Sequence, residues 1–525
     1  MRRSILPAAL AALACASPPP PPPAPPAPPA PTGVATIDAS DLRRDLYAFA
    51  DDSMLGRDAS TGEAVRAARF LAVRAKVAGL EPAGDSGTFL QRVPLVREYL
   101  GRGSRVTVTW SGGVTALTVG PQLVPLTSLG DSEPLPKMDA AGEMVFAGYG
   151  IDAPGVRNDL AGQSVAGKVV VFVMGEPPSL DSVTRAALRR DHPIAERIAM
   201  LADRAPAAIL VILSGRMAAM MPAMAMELTD NSLHFSEGPA ARARTLPMVL
   251  LCDARAAAPL LPEGWPARDR PGALAGRRFD AHVDLARQEV PAYNVVAVRR
   301  GADPALRGTY VAFGAHLDHI GILHGAAGDS IANGADDDGS GSMALLAIGR
   351  AAVTQRPAPR RSMLFVWHTG EEEGLFGSEW FTTHPTVPLA SIVAQLNADM
   401  IGRNASDSLY LVGPAAAPRH QSQELGRIVD QVNAGLPRPF LINREWDSPL
   451  HPERIYYRSD HYNYARNGIP IVFFTSGLHA DYHQAGDEPQ KIDYAKLARV
   501  AAFIYDVGLA VANRAAPLVP APASK

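Results

Sequence analysis

Cysteine is nearly absent. The 525-residue chain has two, Cys15 and Cys252, so no disulfide framework holds the fold. An excess of one charge is missing as well: Lys and Arg number 50 against 53 Asp and Glu, a formal net charge of -3. A chain this close to neutral has no electrostatic footprint for nucleic acid, which leaves a small or peptidic substrate as the expected partner. No internal repeat is evident. The apolar run from Ile5 to Ala14 falls well short of the about 20 residues that a membrane-spanning helix requires.

The amino terminus instead reads as a signal peptide: basic Met1-Arg2-Arg3, a short apolar stretch, and small residues before a cut near Cys15. Cys15 resembles the acylated cysteine of bacterial lipoproteins, although Ala12 stands where that signal usually has Leu, so simple cleavage after Ala14 or Ala16 is the alternative. The expected location is therefore outside the cytoplasm, either periplasmic and lipid-anchored at Cys15 or secreted. A lipid at Cys15 is the sole membrane attachment expected. Pro18 to Pro31 cannot pack and reads as an extended polyproline spacer. Cys252, inside the apolar run Met248-Val249-Leu250-Leu251, reads as a core thiol.

A chain of this length exceeds one compact core, so two folded units with flexible ends are expected. The expected division is a signal peptide (1–15), a Pro-rich linker (16–36), the first part of the principal domain (37–98), an inserted β-rich domain (99–290), the main part of the principal domain (291–515) and a tail (516–525). Ser40 can cap a helix with Leu42, Leu46 and Phe49 on one side. A second helix, after Ser60 and Thr61, carries Val65, Ala68, Leu71, Ala72 and Ala75 on one face and stops at Gly79. From Gly101 the pattern alternates with period two, as in Arg105 to Trp110, and the β-rich pattern continues through 167–173 and 207–213. The Met-rich stretch Met217 to Met226 reads as local packing.

After Pro291 the chain alternates apolar strands with amphipathic helices. Strands are expected at 294–298, 310–314, 362–367, 392–396 and 469–474, and helices at 340–353, 421–435 and 494–511. The fold class is α/β: a mixed central sheet covered by helices on both faces, with the β-rich segment inserted and ligands bound beyond the carboxyl ends of the strands.

Each chemical motif is weak alone. His316-Leu317-Asp318-His319 could be a strand-end hydrogen-bonding group, Asp336-Asp337-Asp338-Gly339 an acidic turn or calcium loop, and Glu371-Glu372-Glu373 a solvated charge run. The last, however, follows Leu364-Phe365-Val366-Trp367, where the chain leaves a buried sheet and charge needs a purpose. Asp399 and His483 repeat the placement. Imidazole and carboxylate together suit zinc better than calcium, and a shared carboxylate would allow two ions. A spare Glu beside the ligands can serve as general base.

The runs Gly314–His319, Asn333–Gly341, Gly370–Ser378, Asn397–Met400 and Tyr482-His483 resemble, in order and approximate spacing, the motifs of the co-catalytic di-zinc aminopeptidase family of bacterial leucyl aminopeptidase and aminopeptidase Y. The segment around Val145–Ile151 and Gly167–Val171 resembles a protease-associated domain. The resemblance implies an aminopeptidase acting on peptides with two zinc ions per chain. Asp336 would bridge them, His316 and Asp399 would complete one site, and Glu372 and His483 the other. Asp318 would orient the His316 ring, Asp337 would support the bridge, and the Asp336-Asp337 peptide would be cis. Glu371 would be the general base and Tyr456 the oxyanion donor, with His368 placed to perturb Glu371. His319, His324, His461 and His479 are expected only as pocket or surface residues. The rival readings are a single-zinc glutaminyl cyclase of the same fold and a catalytically inactive receptor-type ectodomain. The full ligand set favours hydrolysis over both.

Overall fold

The computed structural model describes residues 37–516 and 518, apart from 127–137, 214–216, 222–231, 237–246, 258–259, 264, 266–270, 324–327 and 417–420. The expected signal peptide, Cys15 and the proline spacer lie outside the described residues, as do His324 and part of the Met-rich stretch. The described residues belong to a compact unit that begins at Ala35. Among them no helix is long and apolar enough to cross a membrane.

A mixed ten-stranded sheet organises this unit. At its centre, strand Tyr310–His316 runs parallel to Ser362–His368 on one side and to Ile392–Ala398 on the other, and Ile392–Ala398 runs parallel to Ile471–Thr475. These strands are apolar along nearly their whole length because both faces are covered. The flanks turn antiparallel. Leu285–Arg299 and Leu90–Leu100 extend one side, while Ser408–Val412, followed by Leu441–Asn443, extends the other.

Helices Ala39–Phe49, Ala64–Val77, Gly341–Thr354, Gln423–Ala434 and Tyr494–Ala512 bury their apolar stripes on one face. Phe381 and Tyr464, from helices Phe376–Thr383 and His461–Arg466, pack on the other. The first helix is capped by Asp38 rather than Ser40: the Asp38 carboxylate accepts the Ser40 amide at 2.6 Å, and Ser40 itself lies inside the first turn. The second helix ends as expected, with Gly79 just beyond it at φ +85°, where a residue with a Cβ would be strained.

Contact between the longest helix and the sheet is close. A Cβ on Gly508 would lie 2.2 Å from the Phe313 ring, and Phe313 stacks on Phe365 with centroids 5.2 Å apart. Phe313→Ala should therefore leave a cavity beneath the helix and lower stability by about 3–5 kcal/mol. Urea unfolding should show a lower midpoint with an unchanged slope.

A second, eight-stranded sheet is built from segments between Arg105 and His282 and has its own apolar clusters. Cys252 is buried there, and burial pushes its thiol up to about 12, which leaves it unreactive. The chain leaves the main sheet later and rejoins it earlier than residues 99 and 290, because Leu90–Leu100 and Leu285–Arg299 stay paired from Leu90↔Val295 out to Leu100↔Leu285. Within the excursion, Ser232–Phe235 returns to pair with Leu90–Leu100 at the main sheet's edge. Phe235 there meets Phe376 edge-on, with centroids 5.1 Å apart.

Candidate metal centre

The carboxyl ends of the parallel strands converge. His316 closes its strand, Glu371 and Glu372 lie in the turn after Ser362–His368, Asp399 follows Ile392–Ala398, and His483 lies in the loop after Ile471–Thr475. Each is a polar residue where a buried apolar strand stops, so the fold itself drives them together.

His316 Nε2 lies 3.2 Å from Asp337 Oδ1 and 3.6 Å from Asp399 Oδ1. On the other side, His483 Nε2 lies 3.3 Å from Asp337 Oδ2 and 3.0 Å from Glu372 Oε2. One carboxylate thus faces two groups of donors with its two oxygens. That residue is Asp337, a correction of the expected Asp336.

The three consecutive aspartates point three ways. Asp336 Oδ1 accepts the Gly402 amide at 2.6 Å, and its Oδ2 lies 3.3 Å from His479 Nε2, away from the cluster. Asp338 accepts the amides of His316, Gly341 and Met400. The cis peptide is accordingly Asp337-Asp338 rather than Asp336-Asp337. In a turn each residue rotates the side-chain direction, so a run of identical residues conceals which one faces the crevice.

Asp318 also acts differently from expectation. Its carboxylate accepts the amides of Glu371 and Glu372 at 3.3 and 3.4 Å, while its backbone carbonyl lies 3.2 Å from His316 Nδ1. The side chain thereby fixes the Glu turn, and the main chain orients the imidazole. Behind Asp399, Ser459 donates to Oδ2 at 2.8 Å, and Asn397 donates to Ser459 at 2.8 Å.

His319, expected only as a pocket or surface residue, is buried with Nδ1 2.6 Å from Glu372 Oε1 and 3.8 Å from Asp337 Oδ2. His368 turns away from Glu371: its ring is held between Asp460 at 3.1 Å and the Tyr464 hydroxyl at 3.0 Å. His461 is fully buried, and that burial brings its pKa down to about 4. The residues bounding the cavity over the carboxylates include Met400, Trp446, Ile455, Arg458, Phe473, Thr475, Leu478 and Tyr482; Tyr456 is buried with its hydroxyl unpaired among the described residues. It packs edge-on against Tyr457, Tyr462 and His461, because the short turn Ile455–Tyr457 directs it inward.

Burial pushes the Glu371 carboxyl well above its ordinary range, with Glu372 and Asp399 adding to the rise and His316 opposing it. Burial would raise Asp337 too, but the facing His316 and His483 imidazoles outweigh it and hold that carboxylate well below its usual value. His483 runs the other way: desolvation opposes its charge, yet Asp337 and Glu372 hold it up at about 10.

The donors fit zinc. His316 Nε2, Asp337 Oδ2 and His483 Nε2 are buried without a hydrogen-bond partner among the described residues. Donor atoms of His316, Asp337 and Asp399, of His319, Asp337 and Glu372, and of His316, Glu371 and Glu372 lie within 4.8 Å of one another. Mixed imidazole and carboxylate sets of this kind are zinc ligands.

Residues 294–508 match the model of Peptidase family M28. The chain is 31% identical over 201 residues to leupeptin-inactivating enzyme 1 of Streptomyces exfoliatus, a match covering 38% of this chain and 39% of that enzyme. It is 27% identical over 253 residues to a probable leucine aminopeptidase of Trichophyton verrucosum, covering 45% of this chain and 64% of the relative. The matches therefore span less than two thirds of either relative. Among solved structures, the aminopeptidase from Aneurinibacillus sp. strain AM-1 superposes with a TM-score of 0.53 at 18% identity, covering 93% of this chain and 97% of that one. That similarity concerns the fold.

Proposed function

We propose that the protein is an exported zinc aminopeptidase that removes N-terminal residues from peptides at a two-metal centre. The observation that carries this reading is Asp337, placed with one oxygen toward His316 and the other toward His483. His316, Asp337 and Asp399 would hold one ion, and Asp337, Glu372 and His483 the other, with His319 bracing Glu372 from its second oxygen. When bound, such ions lower the pKa of water and polarise a carbonyl oxygen. The similarity to a probable leucine aminopeptidase supports this reading.

Glu371 groups with His316 and Glu372 within 4.8 Å but is not needed in either of these two ligand sets. Buried, and raised by its neighbours toward neutrality, it is suited to take a proton from the attacking water and return it to the leaving amine. The apolar wall of Met400, Trp446, Ile455, Phe473 and Leu478 would receive the N-terminal side chain. The segment between the two paired strands would be a protease-associated insert that supplies no ligand, and the N-terminal signal read from the sequence would direct the enzyme outside the cytoplasm.

The test is hydrolysis of aminoacyl anilides by purified protein, its loss on chelation and its recovery with zinc. A protein that carries zinc yet cleaves no anilide or dipeptide would contradict the assignment. A pH prediction follows from His483, which holds its proton up to about 10 and must lose it to ligate. Zinc affinity should rise with pH through the neutral range. Calorimetry in buffers of different ionisation enthalpy should show proton release on zinc binding at neutral pH.

A further inference from the structure

Arg57 has no exposed surface and, among the described residues, no carboxylate partner within ion-pair distance. Burying a guanidinium is costly unless its donors are satisfied, and here backbone carbonyls alone receive them. Nε donates to Leu317 O at 2.9 Å, Nη1 to Asn333 O at 2.6 Å and to Phe49 O at 3.3 Å, and Nη2 to Gly334 O at 2.8 Å. Its own carbonyl accepts the His319 amide at 3.4 Å, and its guanidinium lies over the Phe49 ring at 4.6 Å.

Three of the four recipients, Leu317, Asn333 and Gly334, lie in the two segments that carry His316, His319 and Asp337. Leu317 stands between His316 and Asp318, and Asn333 and Gly334 lead directly into the Ala335–Ser340 turn that presents Asp337. Gly334 adopts φ +53°, and a Cβ there would lie 2.2 Å from Asp337 O, so the turn has no side chain of its own at the point where it must be held. The planar fork of Arg57 supplies that constraint from outside. Its charge also lies in the field of Asp318, Asp487, Asp337 and Asp338, which favours keeping that many carboxylates buried together.

We propose that Arg57 is a positioning residue of the metal centre: it fixes the spacing between the His316–His319 segment and Asp337, and so sets metal affinity without touching metal or substrate. The proposal rests on the zinc reading above. Its test is zinc affinity by chelator competition, measured with the full chain. Arg57→Lys keeps the charge and loses the fork, and should bind zinc about 10–100-fold more weakly, the usual effect of removing outer support from a ligand. Arg57→Ala should weaken binding at least as much and recover part of it when guanidinium ion is supplied.

Arg197 provides the control. It is also buried, at 4% exposed, and donates to the carbonyls of His192, Tyr149 and Gly175, with Glu176 3.7 Å away, all in the second sheet's surroundings. Arg197→Lys should lower the thermal midpoint and leave zinc affinity unchanged. Unchanged zinc affinity in Arg57→Lys would overturn the proposal, as would Arg57 variants that stay unfolded even with zinc and guanidinium, since Arg57 would then serve folding alone. A wild-type protein that binds no zinc would instead refute the metal reading and this proposal with it.

Discussion

Glu371→Gln is expected to retain its fold and its zinc while turnover falls by about 10²–10⁴-fold, the typical effect of losing a positioned general base. The reason is geometric. Glu371 and Glu372 share one turn, held by the Asp318 carboxylate through both of their amides, but their side chains separate. Glu372 meets His483 at 3.0 Å and His319 at 2.6 Å, whereas Glu371 Oε2 stands 3.9 Å from His316 and is not needed in either proposed ligand set. Glutamine preserves the size and loses the basic oxygen. Glu372→Gln, by contrast, should lower zinc content together with rate, because a ligand has been removed. Near-normal turnover in Glu371→Gln, or loss of its zinc to the extent seen in Glu372→Gln, would end this division of labour.

The second large effect is expected at Asp337. Without that carboxylate, one site retains only His316 and Asp399, and the other only Glu372 and His483 with His319 nearby. Catalytic zinc sites ordinarily rest on three protein ligands, so Asp337→Ala should lose both ions and all measurable activity. Asp336→Ala makes the contrast. It strips the acceptor from the buried Gly402 amide, which should cost about 1–3 kcal/mol of stability, but both ions should remain. Elemental analysis of the two variants side by side decides between neighbouring residues. Zinc lost from Asp336→Ala and kept in Asp337→Ala would restore the bridge to Asp336.

That contrast also marks how far the sequence could be read. The central strands and long helices were legible because buried parallel strands are continuously apolar and the helices have clear apolar stripes. Helix Tyr494–Ala512 and strand Tyr310–His316 fall within two residues of their expected limits. Charge at the end of such strands pointed to His316, Glu371, Glu372, Asp399 and His483, and the structure brings these together. The short edge strand Leu441–Asn443 and the helices Phe376–Thr383 and His461–Arg466 carry too few residues to show a period.

Within the site, the aspartate triplet was legible as a cluster, but the direction of each side chain depends on turn dihedrals that no spacing encodes. His319 and Arg57 escaped for a related reason. Each acts on segments distant in the chain, His319 on Glu372 and Arg57 on Leu317, Asn333 and Gly334, and nothing local announces those contacts. Tyr456 was placed by its offset from Ser459-Asp460, and the turn at Ile455–Tyr457 sends it into an aromatic cluster.

The central claim is a two-metal centre bridged by Asp337. It is tested most directly by anomalous diffraction at the zinc absorption edge from crystals of the purified protein. The account predicts two peaks about 3.5–4 Å apart, with one Asp337 oxygen on each, His316 and Asp399 beside the first, and Glu372 and His483 beside the second. A single peak, or a pair bridged by any other residue, would contradict it.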